Sequence, residues 1–339
     1  MGSPSVVAHP PSGPDGGAAS VVVRRGFRLR AWVPVLVLLG LCVLIALANP
    51  NFATLPNAVR ILTNAAVPLV LALGATFIIL IGGVDLSVEG TLALGAIVLS
   101  LLVANDVNET GIGLLAIPFA VAVGALMGVI NGSVHVGLKI PSFMVTLGTW
   151  FIGLGLATVL LGGGTLRILD PQIRALFLTR LLNLPLIVWI AAGALLVGWV
   201  IQNHTRFGRH VMAVGGGEDL AALSGISIAR TKIIAFALAG AFYGLASVMA
   251  AAQLGQGNAT IGDGRLFVTI TGVVVGGTAL SGGEGGVLNT LIGVLIVAIL
   301  ANGMILLGIP PYAQQAANGL MIIAAVAISL DRQRFRIVK

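Results

Sequence analysis

The chain has 339 residues, of which 58% are hydrophobic and only 9% charged, with a net charge of +7. A soluble domain carries about 25% charged residues, so this composition cannot clothe a soluble surface and excludes an ordinary cytosolic enzyme or nucleic-acid binder. The apolar runs are continuous rather than alternating, which argues against a transmembrane barrel and for an all-α polytopic membrane protein with spans of roughly 20 residues.

Residues 1–23 are rich in Gly, Pro, Ser and Ala and have no apolar period. They read as part of a disordered cytoplasmic tail over 1–31. Arg24-Arg25-Gly26-Phe27-Arg28 with Ala46-Leu47-Ala48 has the outline of an export signal, but so many apolar runs follow that the basic cluster reads instead as the anchor of a first span. Charge-free stretches then set out about ten spans: 32–48, 60–81, 86–104, 113–133, 142–162, 184–202, 231–253, 266–280, 285–308 and 315–330. Gly308-Ile309-Pro310-Pro311 divides the last stretch in two, because paired prolines cannot continue a helix. The transmembrane domain is therefore 32–330, followed by a basic tail over 331–339.

Orientation follows from the basic residues. With the N-terminus in the cytoplasm, the inner side holds Arg24, Arg25, Arg28, Arg30, Lys139, Arg206, Arg209, Arg230, Lys232, Arg332, Arg334, Arg336 and Lys339. The outer side keeps Arg60, Arg167, Arg174, Arg180 and Arg265. This bias predicts both termini inside and an even number of spans in a bacterial cell membrane. The same spread in short clusters between apolar runs explains the pI near 10.7 without nucleic acid.

Catalytic constellations are missing. His9, His135, His204 and His210 have no carboxylate or cysteine at metal-ligand spacing, and Cys42, alone, excludes an intrachain disulfide. No phosphate-binding Gly-x-x-x-x-Gly-Lys-Ser/Thr loop occurs, so Leu280-Ser281-Gly282-Gly283-Glu284 and Ile328-Ser329-Leu330-Asp331, which mimic parts of a nucleotide site, are decoys. No metal or cofactor is expected on this chain.

Asp85 and Glu89 stand four apart, which would put them on one helix face. The charge-free gaps place both between the second and third spans, at a membrane edge near Gly82-Gly83, where Asp85 would cap the next helix. Deep in the bilayer a charge is costly and usually functional. The uncharged stretches 90–105 and 266–283 are short for a span, and each adjoins one copy of a local echo. Gly82-Gly83-Val84-Asp85-Leu86-Ser87 matches Gly276-Gly277-Thr278-Ala279-Leu280-Ser281, with both copies expected on the same side of the membrane. Short, Gly-interrupted segments recurring in two halves accompany transport paths in many carriers. Ser87, Asn131, Thr146, Thr149, Thr278 and Asn302 offer hydroxyl and amide groups inside the spans, suited either to a neutral hydroxylated solute or to helix packing. With 5% aromatics, Trp150 and Phe151 are the best stacking candidates.

The cytoplasmic loop 203–230 contains Glu218-Asp219-Leu220-Ala221-Ala222-Leu223-Ser224-Gly225. Acids at the start and glycine at the end bound a helix too short to span the membrane, suited to docking a partner.

Several stretches together resemble the ribose/xylose/galactose-type permease subunit of bacterial ATP-binding-cassette sugar importers. They are Gly82–Val88, Ile130-Asn131-Gly132, Ile140–Thr149, Phe207-Gly208-Arg209, Ala213–Ile226, Gly276–Gly283 and Gly285-Gly286, in order from about 55 to 330. The resemblance implies two permease chains forming one path, cytoplasmic ATPase subunits carrying ATP and magnesium, and an extracytoplasmic solute-binding protein. It implies that 213–226 holds the helix that couples to the ATPase. It departs from the family pattern at Glu89, where glycine is usual, and at Leu266-Phe267-Val268, where an acidic-Leu-acidic run is common. Gly217 and Leu220 also depart, from asparagine and alanine. An ion-coupled carrier using Asp85 or Glu89 is the alternative function, and a pore or scaffold subunit a further one.

Overall fold

The computed structural model describes residues 29–323 apart from 163, 311, 315, 318, 321 and 322. The tails over 1–28 and 331–339, and most of the tenth span over 315–330, lie outside the described residues. The chain divides into two units, 1–33 and 34–339, and of the first only the opening of α1 is described.

Helices dominate. They are α1 (Leu29–Ala48), α2 (Leu55–Leu80), α3 (Val88–Leu102), α4 (Ala116–Leu138), α5 (Ser142–Leu161), α6 (Pro171–Leu178), α7 (Leu186–His204), α8 (Arg206–Gly216), α9 (Glu218–Leu223), α10 (Ile228–Leu254), α11 (Arg265–Val275) and α12 (Val287–Leu306). Among the described residues six helices, α2, α4, α5, α7, α10 and α12, are long and apolar enough to cross a membrane, and α1, α3 and α11 are shorter apolar helices. These nine fall on the first nine predicted spans.

Two of them are too short to cross. α3 has 15 residues and α11 has 11, about 22 and 16 Å of helix against a hydrocarbon core near 30 Å. Gly90 in the first turn of α3 packs on the backbone of Trp150, and Gly153 packs back on Gly90. Both α5 residues lie near the middle of that helix, so α3 starts halfway along α5 rather than at its end. On the other side, Gly262 packs on the backbone of Glu89, so α11 starts at the same depth. From there α11 runs antiparallel to the first half of α12, with Gly272 against Gly293 and Gly276 against Asn289.

The core is centred on α2 and α10. Val67, Val70, Leu71, Leu73, Phe77, Ile78 and Leu80 of α2 and Phe236, Ala239, Tyr243, Ala246 and Met249 of α10 are fully buried. α4 lies along α10 at backbone contact: Gly124 meets Gly240 and Gly244, Gly128 meets Phe236, and Gly132 meets Ile233. Small residues at four-residue spacing allow this approach, and in lipid such close packing is a main source of helix association. Across the bundle, Asn57 and Asn302 exchange amide hydrogen bonds at 3.0 and 2.9 Å, tying α2 to α12.

The end of the bundle at Leu55 is closed by short pairings. Leu166-Arg167 pairs antiparallel with Gln256-Gly257, and Asn105 bridges Ile168. Asp170 caps α6 by accepting from the N–H groups of Gln172 and Ile173 at 2.9 and 3.2 Å, with Pro171 at the first helical position.

A Gly128→Val side chain has no space against the Phe236 carbonyl, whereas Gly137 has nothing within 4 Å. Gly128→Val is expected to lower stability by about 1–3 kcal/mol or more and Gly137→Val by far less. Thermal unfolding of the two purified variants in detergent checks this.

Candidate functional site

The first candidate region is the irregular segment between α2 and α3. Gly82 takes φ +75, which glycine adopts without a Cβ penalty, and Gly83 donates its N–H to the Ile78 carbonyl at 2.9 Å. The chain then re-enters the bundle beside α5. Val84 donates its N–H to Ser142 Oγ at 3.0 Å, and Leu86 donates to Thr146 Oγ1 at 2.9 Å. These hydroxyls replace the helical partners that a non-helical backbone lacks inside a bundle.

Asp85 lies within this segment and is buried. Its Oδ1 accepts from the Ser87 N–H at 2.8 Å and from the Ser87 hydroxyl at 2.6 Å. Ser87 Oγ accepts from Asn131 Nδ2 at 2.9 Å, so a chain of bonds links α4 to the carboxylate. The Tyr243 hydroxyl faces the same carboxylate without completing a hydrogen bond. Among the described residues, Thr91 Oγ1, Asn131 Oδ1, Trp150 Nε1, Tyr243 Oη and Thr269 Oγ1 are buried without a partner.

The structure corrects the sequence reading of the two acids. Asp85 and Glu89 do not share a helix face, because α3 begins at Val88. Asp85 does not cap α3 either: its bond to the N–H two residues on makes a local turn. Nor does Glu89 sit at the end of the bundle. It is 5% exposed, at the depth of Trp150, and its Oε1 accepts from the Leu266 N–H at 3.0 Å in the first turn of α11.

The other polar candidates are buried as well. Thr146 Oγ1 donates to the Ser142 carbonyl at 2.9 Å and Thr149 Oγ1 to the Thr146 carbonyl at 3.1 Å. Thr278 Oγ1 accepts from the Gly286 N–H at 3.2 Å, and Asn302 is held by Asn57. Trp150 stacks on Phe151, which is 64% exposed. Sequence reasoning passed over Tyr243 and Gln202. Gln202 Oε1 accepts from Val287 N–H at 2.8 Å and its Nε2 donates to the Gly285 carbonyl at 3.2 Å, which fixes the start of α12. A lone tyrosine in an apolar span and a glutamine at a span end were the available signals.

The second region is the 203–230 segment. The expected helix exists as α9, Glu218–Leu223, ended by Gly225 at φ +80. Leu220 is 72% and Leu223 86% exposed, while Ala221 is buried. Glu218 is paired with Lys232 of α10 at 2.6 Å. Before α9 stands an unforeseen helix, α8, capped by Thr205, whose Oγ1 accepts from the Gly208 N–H at 3.1 Å. Gly215 of α8 packs on the Leu80 carbonyl and on Gly283, and Gly283 donates its N–H to Leu80 at 2.9 Å. Gly82 lies against Ser281 and Gly282. The two echoing glycine segments, 82–87 and 276–281, therefore meet at the end of the bundle that carries α8. Gly276 and Gly277 themselves lie against Asn289 of α12.

Because Ser87 bonds both Asp85 and Asn131, Ser87→Ala and Asn131→Ala should not be additive. A double-mutant cycle on thermal stability is expected to give a coupling of about 0.5–3 kcal/mol, whereas Ser87→Ala combined with Asn302→Ala should add.

Comparison with known proteins bears on both regions. The family model described as branched-chain amino acid transport system / permease component matches residues 57–326. The ribose import permease protein RbsC of Escherichia coli (strain K12) is 34% identical over 317 residues, covering 91% of this chain and 98% of its own length. The galactose/methyl galactoside import permease protein MglC of the same strain is 31% identical, over 86% of this chain and 91% of its own. The L-arabinose transport system permease protein AraH of that strain is 32% identical, over 85% and 87%. No solved structure matches the chain. With the family model covering most of its length and these relatives aligning nearly end to end, the chain is a multi-pass membrane protein that belongs to the branched-chain amino acid transport system / permease component family.

Proposed function

We propose that this chain is the membrane permease of an ATP-binding-cassette importer for a small neutral monosaccharide or polyol. The observation that carries the proposal is the nearly end-to-end match to permeases whose names specify ribose, galactose or arabinose import. The chemistry agrees with it. Apart from Asp85 and Glu89, which bond to backbone and side-chain groups of the chain itself, the buried polar groups of the described spans are mainly hydroxyls and amides, which exchange hydrogen bonds with a hydroxylated solute.

Two permease chains would form the path, loaded by an extracytoplasmic binding protein and driven by cytoplasmic ATPase subunits that hold ATP and magnesium. Among the path candidates, Asn131 and Trp150 keep an unpartnered polar atom for a solute, as do Thr91, Tyr243 and Thr269. Asp85, Ser87, Thr146, Thr149, Thr278 and Asn302 already bond within the chain and would shape the path rather than grip its cargo. The end of the bundle bearing α8 and α9 would face the cytoplasm, with both chain termini on the same side. Leu220 and Leu223, exposed on α9, would enter a cleft of the ATPase. Glu218, held by Lys232, would set the angle at which α9 leaves the bundle.

Reconstituted with its ATPase and binding protein, the complex is expected to import a labelled monosaccharide only with hydrolysable ATP, and a protonophore should leave uptake unchanged. Uptake by this chain alone on an ion gradient, lost in Asp85→Asn, would replace the proposal with an ion-coupled carrier. Leu220→Asp and Leu223→Asp should each cut ATP-driven uptake at least about tenfold while the chain stays in the membrane, since burying an unpaired charge in a protein cleft is costly; uptake and membrane level measured together check this.

A further inference from the structure

Glu89 and Leu266-Phe267-Val268, two of the four departures from the resembling pattern, are far apart in sequence and meet in space. Glu89 Oε1 accepts the Leu266 N–H at 3.0 Å and the Gly264 amide is turned toward the same carboxylate, while Arg265 donates its N–H to the Gly262 carbonyl at 3.0 Å. Gly262 packs directly on the Glu89 backbone. Glu89 is also in the first turn of α3. One buried carboxylate thus stands at the N-termini of two short helices that begin at mid-depth.

Each N-terminus presents unpaired N–H groups and a partial positive charge. In a membrane interior no water reaches them, so a partner must come from the protein. The side chains of Leu266, Phe267 and Val268 cannot supply one. Asp263, the acid nearest in sequence, is exposed, and Gly264 at the cap position offers no side chain.

We infer that Glu89 is the positioning residue of α11: it supplies from α3 the carboxylate that the 266–268 segment lacks. Glu89 sets where α11 starts and holds the 258–264 loop against α3. It acts on transport through that placement and does not contact the solute. The placement rests on the packing of α3 and α11 and not on which solute crosses; only the uptake arm of the test depends on the importer reading.

The reporter is Val273→Cys in a Cys42→Ala background, because Val273 is fully buried in the hydrophobic core on α11 and a thiol there is labelled only when α11 moves. In membranes holding the full chain, Glu89→Gly is expected to raise the maleimide labelling rate about tenfold, the factor typical of a lost helix cap. Adding Leu266→Glu or Val268→Asp should restore slow labelling, and Glu89→Gln, which keeps an acceptor oxygen, should fall between. In the assembled importer, without the reporter, maximal uptake should fall in Glu89→Gly and recover in the double variants, with the sugar concentration for half-maximal uptake unchanged. Labelling unaltered in both Glu89→Gly and Glu89→Gln, or raised but not reversed by an acid at 266 or 268, would overturn the inference. If Glu89→Gly fails to reach the membrane, recovery of its level in either double variant supports the inference and loss in both overturns it. Labelling that follows this pattern while ATP-driven uptake is absent from every form would retire the importer reading and leave the placement of α11 standing.

Discussion

Backbone groups inside a membrane protein must be bonded without help from water, and the fold is arranged around the two places where helices cannot do this. The segments at 81–87 and 255–264 enter the bundle in irregular conformation. Side chains answer the N–H groups there: Ser142 and Thr146 of α5 for Val84 and Leu86, Asp85 of the segment itself for Ser87, and Glu89 of α3 for Leu266 at the start of α11. The polar residues that look scattered along apolar spans are concentrated where the helical ladder is interrupted. Elsewhere they join helices in pairs, as Thr76 does with Thr290 at 2.6 Å and Asn57 with Asn302.

Glycine makes the supporting frame dense enough to hold these segments. Without a hydrophobic driving force between helices in lipid, association depends on dispersion at close range and on hydrogen bonds. The α4–α10 contact brings backbones together along three turns, and α11 meets α12 in the same manner. Aromatic packing complements it where space opens: Phe77 stacks with Phe242 and Phe207 at centroid separations of 6.4 and 6.3 Å. Phe207 belongs to α8, so the segment outside the spans is anchored on the core of α2.

The spans were legible because apolar runs bounded by charge carry a one-dimensional signal. Nine of them are helices within a few residues of their predicted ends. Depth carries no such signal. A charge between two apolar runs reads as an edge, yet Glu89 lies deep because the chain re-enters before α3 starts, and that re-entry depends on hydroxyls from α5, some 60 positions away in sequence. α8 was missed because its apolar residues, Phe207, Val211 and Val214, alternate with Arg206, Arg209 and His210 at helical spacing and give no continuous run. α9 was found because its acids and glycine mark both ends. For the polar candidates, composition could not separate a solute contact from a packing contact. That distinction lies in whether each polar atom already has a partner, which only the packed structure supplies.

The same packing joins the two candidate regions. The Leu80 carbonyl, at the end of α2, accepts the Gly283 N–H, and Gly215 of α8 lies against both. Gly82, the turn into the re-entrant segment, lies against Ser281 and Gly282 in turn. Three stretches, one leading to Asp85, one leading to α12 and one leading to α9, therefore share a single knot of backbone with no side chains to yield between them. Interiors packed at this density transmit displacement rather than absorb it. A tilt of α9 imposed from outside the membrane would shift Gly215, and through it the starting points of both the Asp85 segment and α12. The Glu89 carboxylate holds α3 to α11 deeper in the bundle, so the two short helices form the far side of the same frame. In this chain backbone contact joins α8 to the segments leading to Asp85 and to α12 at one end, and one carboxylate joins α3 to α11 at mid-depth.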